Sequence, residues 1–187
     1  MVSNQTNMES DEALVEKVLD GDIQSFELLI DKYSKPIYNY LLRLMSFHIQ
    51  DAEDVLAETM FKAYSNLNSF NRHLKFSSWL YRIAHNQALD FFKKKKYKVV
   101  PIDDNLHHFS FTPTFQEDQK DDLAKILMSL KEKDRNLLTL FYLEEKTVTE
   151  IAEIMKERPT TISVHLHRSK ARAQKQVQKN VKKRYDF

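Results

Sequence analysis

A chain of 187 residues that is 42% hydrophobic holds enough material for one ordinary domain or two small ones, which excludes disorder throughout. One glycine and four prolines leave almost no hairpin-turn chemistry, while helix formers are abundant, so the expected class is all-α. The absence of cysteine excludes a disulfide framework and a thiolate metal site, no apolar run approaches the roughly 20 residues of a membrane span, and Glu9, Asp11 and Glu12 break the pattern of a signal peptide; a soluble, cytoplasmic chain, not itself membrane-embedded, is expected.

The formal net charge of +2 conceals a strong polarity along the chain. Residues 1–71 carry 5 basic and 12 acidic side chains, whereas residues 72–98 carry 8 and 1. Residues 99–118 hold 4 acidic side chains and no basic one, and residues 156–187 hold 10 basic against 2 acidic. Two separate cationic blocks indicate two places where a polyanion docks, and the acidic surface is left for a different partner.

In chain order, Leu14, Val15, Val18 and Leu19 fall at helical spacing, and Asp20-Gly21-Asp22 supplies a stop and a fresh cap. A long amphipathic stripe then runs from Phe26 through Tyr33, Ile37 and Tyr40 to Leu44, with Pro36 expected to kink or divide the helix. Asp51 is the expected cap of a third helix that buries Leu56, Met60, Ala63 and Leu67. A fourth is expected from about Phe76 to Lys96, with Trp79, Leu80, Ile83, Ala84, Ala88 and Phe91 as its apolar set. From Val99 to Asp118 the periodicity vanishes and Pro101 and Pro113 intervene, as in an interdomain linker. A strand threading a partner's channel and a plain acidic tether fit this segment equally. Beyond it, Leu123 to Leu130 and Leu137 to Tyr142 mark two short helices. Thr147 and Glu150 form a capping box at the head of a third, and Arg158-Pro159 opens a fourth that keeps Ile162, Leu166 and Ala173 on one side. This is a helix-turn-helix arrangement.

Three constellations carry chemistry. A reading helix in the major groove needs short hydrogen-bonding or cationic side chains near its N-terminus, and Thr160, Thr161, Ser163, His165, His167 and Arg168 supply them. Lys170, Arg172, Lys175, Lys179, Lys182, Lys183 and Arg184 add charge suited to phosphates. The alternative is an ordinary helical hairpin with a solvated basic tail. Between Arg72 and Lys98, Phe76, Trp79, Tyr81, Phe91, Phe92 and Tyr97 are interleaved with Lys75, Arg82 and Lys93 to Lys96, a composition that suits a single-stranded or melting segment. Trp79, at core spacing with Ile83, also fits plain packing, and Lys93 to Lys96 also fit a solvated helix end. Finally, Asp51, Asp54 and Glu58 share one helix face beside Glu53 and Lys62, as solvated surface or as a docking stripe for a basic partner helix. No Glu-x-x-His pair occurs in this stripe, so a carboxylate metal centre is not expected there.

These residues carry a resemblance. Asp51-Ala-Glu-Asp54, Phe61-Lys-Ala-Tyr64 and the run from Phe76-Ser-Ser-Trp-Leu-Tyr-Arg-Ile-Ala-His-Asn86 to Asp90 resemble region 2 of extracytoplasmic-function (ECF) sigma factors. Tyr142-Leu143 through Glu150-Ile-Ala-Glu-Ile154 to Arg168 resembles their region 4. The resemblance implies two small helical domains joined by a flexible linker: an N-terminal helix and lead-in over 1–21, region 2 over 22–98, an acidic linker over 99–118, region 4 over 119–182 and a tail over 183–187. It implies that Asp51, Glu53, Asp54, Glu58, Phe61 and Lys62 meet the β′ clamp helices of core RNA polymerase, with the β flap as a second contact. It implies a set at the promoter −10 element (Phe76, Trp79, Arg82, His85, Asn86, Lys93 and Lys94), within a helix and a preceding loop over Phe70 to Ser78 that open the strands. It implies a −35 set of Pro159, Thr160, Thr161, Ser163, Val164, His165, His167, Arg168 and Lys170. An anti-sigma protein is a further implied partner; no catalytic site, cofactor, metal or small-molecule substrate is implied. The family commonly has glycine where Lys156 and Thr160 stand, and Lys or Arg where Ser163 and His165 stand, so the −35 sequence does not transfer from relatives. Two rival readings stand beside this one: a stand-alone helix-turn-helix regulator binding DNA as a dimer, and an N-terminal half that serves only protein interaction.

Overall fold

Local hydrogen bonds and backbone turns set several of the helix boundaries in the computed structural model, which describes residues 9–96, 123 and 125–185. Ser10 accepts a hydrogen bond from the Ala13 N–H through Oγ (3.2 Å) and opens α1 (Asp11–Leu19). Gly21 reverses the chain at φ +103°, where a side chain would be strained. Asp22 then serves the next helix, its Oδ1 accepting from the Gln24 N–H (3.1 Å) and its Oδ2 from Ser25 Oγ (2.8 Å). The helix so opened, α2 (Gln24–Leu44), continues through Pro36 undivided. Its partner α3 (Ile49–Ser65) begins two residues before Asp51, with His48 at the cap position. Asp51 therefore sits in the first turn, where a carboxylate favours the helix dipole without capping it. After a 3₁₀ turn over Leu67–Ser69 comes α4 (Phe76–Lys96), over the expected span. The acidic linker lies outside the described residues.

In the second half, residues 125–129 form a short helix, α5, followed by α6 (Glu132–Leu138). The end of α6 widens into a π-helical turn over Thr139–Leu143. The capping box forms as expected: Thr147 Oγ1 accepts from the Glu150 N–H (3.2 Å) and Glu150 Oε2 from the Thr147 N–H (2.9 Å), which starts α7 (Val148–Met155). Its C-terminus is Lys156 in the left-handed conformation, φ 53° and ψ 42°. From Pro159, in the first helical position, α8 (Pro159–Tyr185) follows as one long helix. Among the described residues there is no strand.

α1 to α4 close around Val15, Leu29, Ile37, Tyr40, Leu41, Leu44 and Leu80, all nearly sealed from solvent. The second half builds a small cluster of its own from Leu127, Leu130 and Leu138. Its other apolar residues, Leu137, Leu140, Ile151, Ile154 and Ile162, join the first-half core instead. The two domains are thus packed face to face, with α7 against α4 and α6 against α2.

Polar groups cross this seam. Tyr40 Oη donates to Asn136 Oδ1 (2.7 Å), and Asn136 Nδ2 donates to His85 Nδ1 (2.9 Å). With Nδ1 acting as acceptor, the His85 ring is neutral and protonated on Nε2. Burial pushes its pKa down to about 4, although the Glu157 carboxylate pulls it up.

Lys156 sits where only glycine is free of steric penalty, so Lys156→Gly is expected to stabilise the chain by about 1 kcal/mol, read as a higher urea midpoint at unchanged slope. His85, at about 4 when packed and near its ordinary 6.5 when freed, holds the seam most firmly above pH 6.5, and that contribution fades as the pH falls toward 4. Wild type is therefore expected to lose about 1–2 kcal/mol more than His85→Gln between pH 7 and pH 5 in urea unfolding. The groups facing His85, namely Tyr40, Asn136 and Glu157 with Glu132 and Lys133 on the same cavity, are common to both proteins and cancel in the comparison.

Candidate nucleic-acid and polymerase interfaces

The orientation of α8 follows from its buried side. Ile162 and Ser169 are buried, with Leu166 and Ala173 partly so, at the i, i+4, i+7, i+11 rhythm of a packed helix face. Asp134 on α6 fixes the rotation, accepting from Ser169 Oγ (2.6 Å) and from Arg172 Nη1 (2.7 and 2.9 Å). Arg172, expected as a phosphate contact, pairs with Asp134 and helps hold α8 on α6, while its side chain stays 57% exposed.

The opposite face presents Thr160, Val164, His167 and Arg168 at i, i+4, i+7 and i+8, all exposed and without a hydrogen bond or ion pair to any described residue. Pro159 and Lys170 are exposed at its edges, and Thr161 is half-buried. Ser163 turns its hydroxyl onto the Pro159 carbonyl (3.1 Å), and His165 Nδ1 lies 3.5 Å from Glu157 Oε2. The two positions where the family commonly carries cations thus direct polar atoms toward their own chain. The arrangement can present one guanidinium, one imidazole, a hydroxyl and a branched apolar group to a groove floor.

On α3, Glu53, Asp54, Glu58 and Phe61 are exposed, and Asp54, Glu58 and Phe61 share one face at i, i+4 and i+7. Phe61 is 66% exposed, which is unusual for a phenylalanine and marks a contact surface beside the carboxylates. Asp51 is half-buried at the start of this helix. Lys62, also half-buried, donates to Gln87 Oε1 (2.8 Å) and pairs with Glu58 (3.5 Å), tying α3 to α4.

The α4 set divides by burial. Phe76 (1% exposed) and Trp79 (4%) lie in the core, in an aromatic cluster with Phe70 and Tyr33 at centroid separations of 5.4–5.8 Å. Their rings pack against neighbouring rings in tilted and edge-on contacts. Through these contacts they pack α4 and the loop before it into the core. Arg82 and Asn86 are half-exposed and make no hydrogen bond or ion pair with any described residue. Lys94 is exposed, as is Lys93, which pairs with Asp90 (3.1 Å). His85 is buried by the other domain, through the Asn136 contact across the seam.

Sequence reasoning missed a second crossing of the seam. Glu144, at the end of the π-helical turn, has a side chain only 8% exposed. It accepts from Arg43 Nη1 (2.8 Å) on α2 and from Tyr81 Oη (2.6 Å) on α4, while the Lys146 ammonium stands 4.4 Å from the Tyr81 ring centroid. Burial raises the Glu144 carboxyl above its ordinary pKa, against the pull of Tyr81 and Arg43. At the rim, Lys75 Nζ lies 2.9 Å from Glu150. Burial works against the charged form of Glu150, but Lys75 and the Thr147 N–H and hydroxyl outweigh it and hold the carboxyl at about 2. The one local sign of such clasps is the placing of Tyr40 and Tyr81 at core positions, since a buried phenol needs a partner. Among the described residues no group of three or more His, Asp or Glu side chains is placed to hold a metal, and no helix is long and apolar enough to cross a membrane.

Comparison with known proteins matches both halves in order. The family model for Sigma-70 region 2 matches residues 29–97, and that for Sigma-70, region 4 matches residues 120–172. The chain is 28% identical over 180 residues to the ECF RNA polymerase sigma factor SigW of Bacillus subtilis, covering 87% of this chain and 94% of SigW. It is 32% identical over 146 residues to the ECF RNA polymerase sigma factor SigM of the same organism, covering 75% of this chain and 87% of SigM. Among solved structures, the sigma factor RpoE of Bartonella quintana, in its complex with the anti-sigma factor NepR, shares the fold at a TM-score of 0.71 and 21% identity, over 83% of this chain and 98% of RpoE. The two-domain helical architecture, the ordered match to regions 2 and 4 and the likeness to SigM along most of both chains together place this protein in the ECF group of the sigma-70 family of RNA polymerase sigma factors.

Proposed function

We propose that this chain carries core RNA polymerase to promoters and opens them, with the work divided among three surfaces. The acidic and aromatic face of α3 docks on the β′ clamp helices through Asp54, Glu58 and Phe61, with Glu53 and Asp51 beside them. The exposed face of α8 reads the −35 element through Thr160, Val164, His167 and Arg168, while the β flap holds the domain that carries it. Strand opening at the −10 element falls to α4 and its preceding loop, with Arg82, Asn86 and His85 nearest the extruded base and Lys93 and Lys94 on the backbone. Flipping a base costs a few kcal/mol of stacking, which contacts of this kind must offset.

The chain supplies recognition and opening, whereas the chemistry of RNA synthesis resides in the polymerase, so no catalytic site or cofactor of its own is assigned. An anti-sigma protein is a further partner, and the site of action is the cytoplasm. The observation that carries the reading is the free polar face of α8, held outward by the Asp134 clasp, in a chain whose other half matches region 2. A stand-alone regulator does not account for that region 2 half.

In vitro transcription with bacterial core polymerase and a library of promoter fragments tests the reading. Promoter-specific initiation that depends on this chain is expected, and its absence would overturn the assignment. Asp54→Lys with Glu58→Lys is expected to weaken association with core polymerase by about tenfold or more in a binding titration, with helical content unchanged. Arg168→Ala is expected to weaken binding to the −35 duplex by about tenfold, corresponding to ~1–3 kcal/mol for one good base contact, in fluorescence anisotropy at fixed salt.

A further inference from the structure

The first helix, α1, lies ahead of residues 29–97, the stretch that matches Sigma-70 region 2, yet its carboxylates reach into that domain. Leu14 and Val15 seat the helix in the core, and Asp11 pins it on α2 by accepting from Lys32 Nζ and Tyr33 Oη, each at 2.5 Å. Two further carboxylates are directed at the loop before α4. Glu12 Oε1 accepts from the Phe76 N–H (3.4 Å), and one turn along α1 Glu16 Oε1 accepts from Arg72 Nη1 (3.1 Å).

A helix start leaves N–H groups with no partner inside the helix, and Phe76, the first residue of α4, is nearly sealed from water. The residue before it, Lys75, has an ammonium and no side-chain acceptor with which to cap. Glu12 supplies from another helix what the local sequence lacks: an acceptor for that N–H, and a negative charge at the positive end of the α4 dipole. The other end of the loop is anchored by Phe70, buried against Phe76 and Trp79. Between the anchors the chain turns tightly, Asn71 Oδ1 accepting from the His73 N–H (3.0 Å) and the Asn71 carbonyl from the Leu74 N–H (2.9 Å). Asn71, Arg72 and His73 stand exposed at the tip. The Arg72 and Glu16 side chains are 58% and 56% exposed, so their pairing adds little to stability, but it restricts where the guanidinium points.

We infer that Glu12 and Glu16 of α1 are positioning residues for −10 recognition: Glu12, by capping α4, and Glu16, by holding Arg72, set the shape in which the exposed tip Asn71, Arg72 and His73 meets an unpaired base. Neither carboxylate touches DNA itself; each acts through the loop. The inference rests on the assignment of α4 and its preceding loop to strand opening. A loop whose shape is set before binding spends no binding energy on its own ordering, so the contacts it makes with a flipped base appear in full as selectivity for that base. Loosened from α1, the same loop still follows the strand by charge but loses its preference for what the strand carries.

The test uses holoenzyme assembled from the full chain and core polymerase, and the non-template −10 strand of a promoter on which it initiates. Fluorescence anisotropy compares the intact single strand with strands in which each −10 base in turn is replaced by an abasic site. Wild type is expected to lose about tenfold or more in affinity at the position that the loop reads. In Glu12→Ala, which uncaps α4, and in Glu16→Lys, which sets a like charge beside Arg72, that loss is expected to shrink to about threefold or less. Partial unfolding or weaker association with polymerase lowers binding to intact and abasic strands alike and leaves their ratio unchanged, so the ratio reports the loop and not general stability. Glu16 is exposed, so Glu16→Lys remains decisive if Glu12→Ala is found by circular dichroism to have lost helix. A folded variant that keeps the wild-type ratio overturns the role given to its residue, and a wild type with no sensitivity to any missing base overturns both roles. A chain that initiates on no promoter overturns the sigma-factor reading, and the positioning role with it; normal initiation with unchanged ratios in both variants overturns the positioning role alone.

Discussion

A carboxylate withdrawn from water must find compensating charge and hydrogen bonds, and Glu144 finds them only where three elements from two domains converge. Arg43 comes from α2, Tyr81 from α4, and Glu144 from the π-helical turn after α6. The extra residue of that turn sets where the acid falls, so a local irregularity of backbone becomes the device that fixes one domain against the other. Everything else at the seam is arranged around this meeting: Lys146 lies over the Tyr81 ring, Asn136 about two turns back on α6 reaches Tyr40 and His85, and α7 packs along α4.

A second constraint governs the reading helix. α8 has to show a polar face to solvent while burying Ile162 and Leu166, and helical periodicity alone leaves its rotation loosely defined. Asp134 narrows it by taking Ser169 and Arg172 together, two side chains three residues apart on one face. A cation that composition assigns to phosphate thereby also serves the architecture, and Arg168 and His167 remain exposed on the opposite face. The departures from the family pattern at Ser163 and His165 act in the same direction, since both direct polar atoms to their own chain.

Features encoded within a few residues are legible in the amino-acid sequence itself. The Thr147–Glu150 box, the stop at Gly21, the proline at the head of α8 and the span of α4 are all decided by local sterics and local hydrogen bonds. Residue type makes Asp51 the expected cap, but the helix starts two residues sooner because the chain leaving α2 has already turned through Ser46 and Phe47, at φ 55° and 66°, before His48. Phe76 and Trp79 show a different limit. An aromatic next to cations looks the same in sequence whether it stacks on a base or on another ring, and only the neighbours Phe70 and Tyr33, brought in by tertiary folding, decide for packing. The seam is the least legible part. Arg43 and Glu144 stand about a hundred residues apart, and no periodicity within either helix announces that they meet.

The length of α8 has a mechanical consequence. At 27 residues it is a rod roughly 40 Å long, yet among the described side chains the last core contact it makes with the rest of its domain is near Ala173. The remainder continues as a stiff arm bearing exposed side chains such as Lys175. A swing of about ten degrees at the turn before Pro159 would carry its far end through roughly 7 Å, about two base-pair steps along a duplex. Small rearrangements at the short turn between α7 and α8 are thereby geared up into displacements of several ångströms at the far end of the arm.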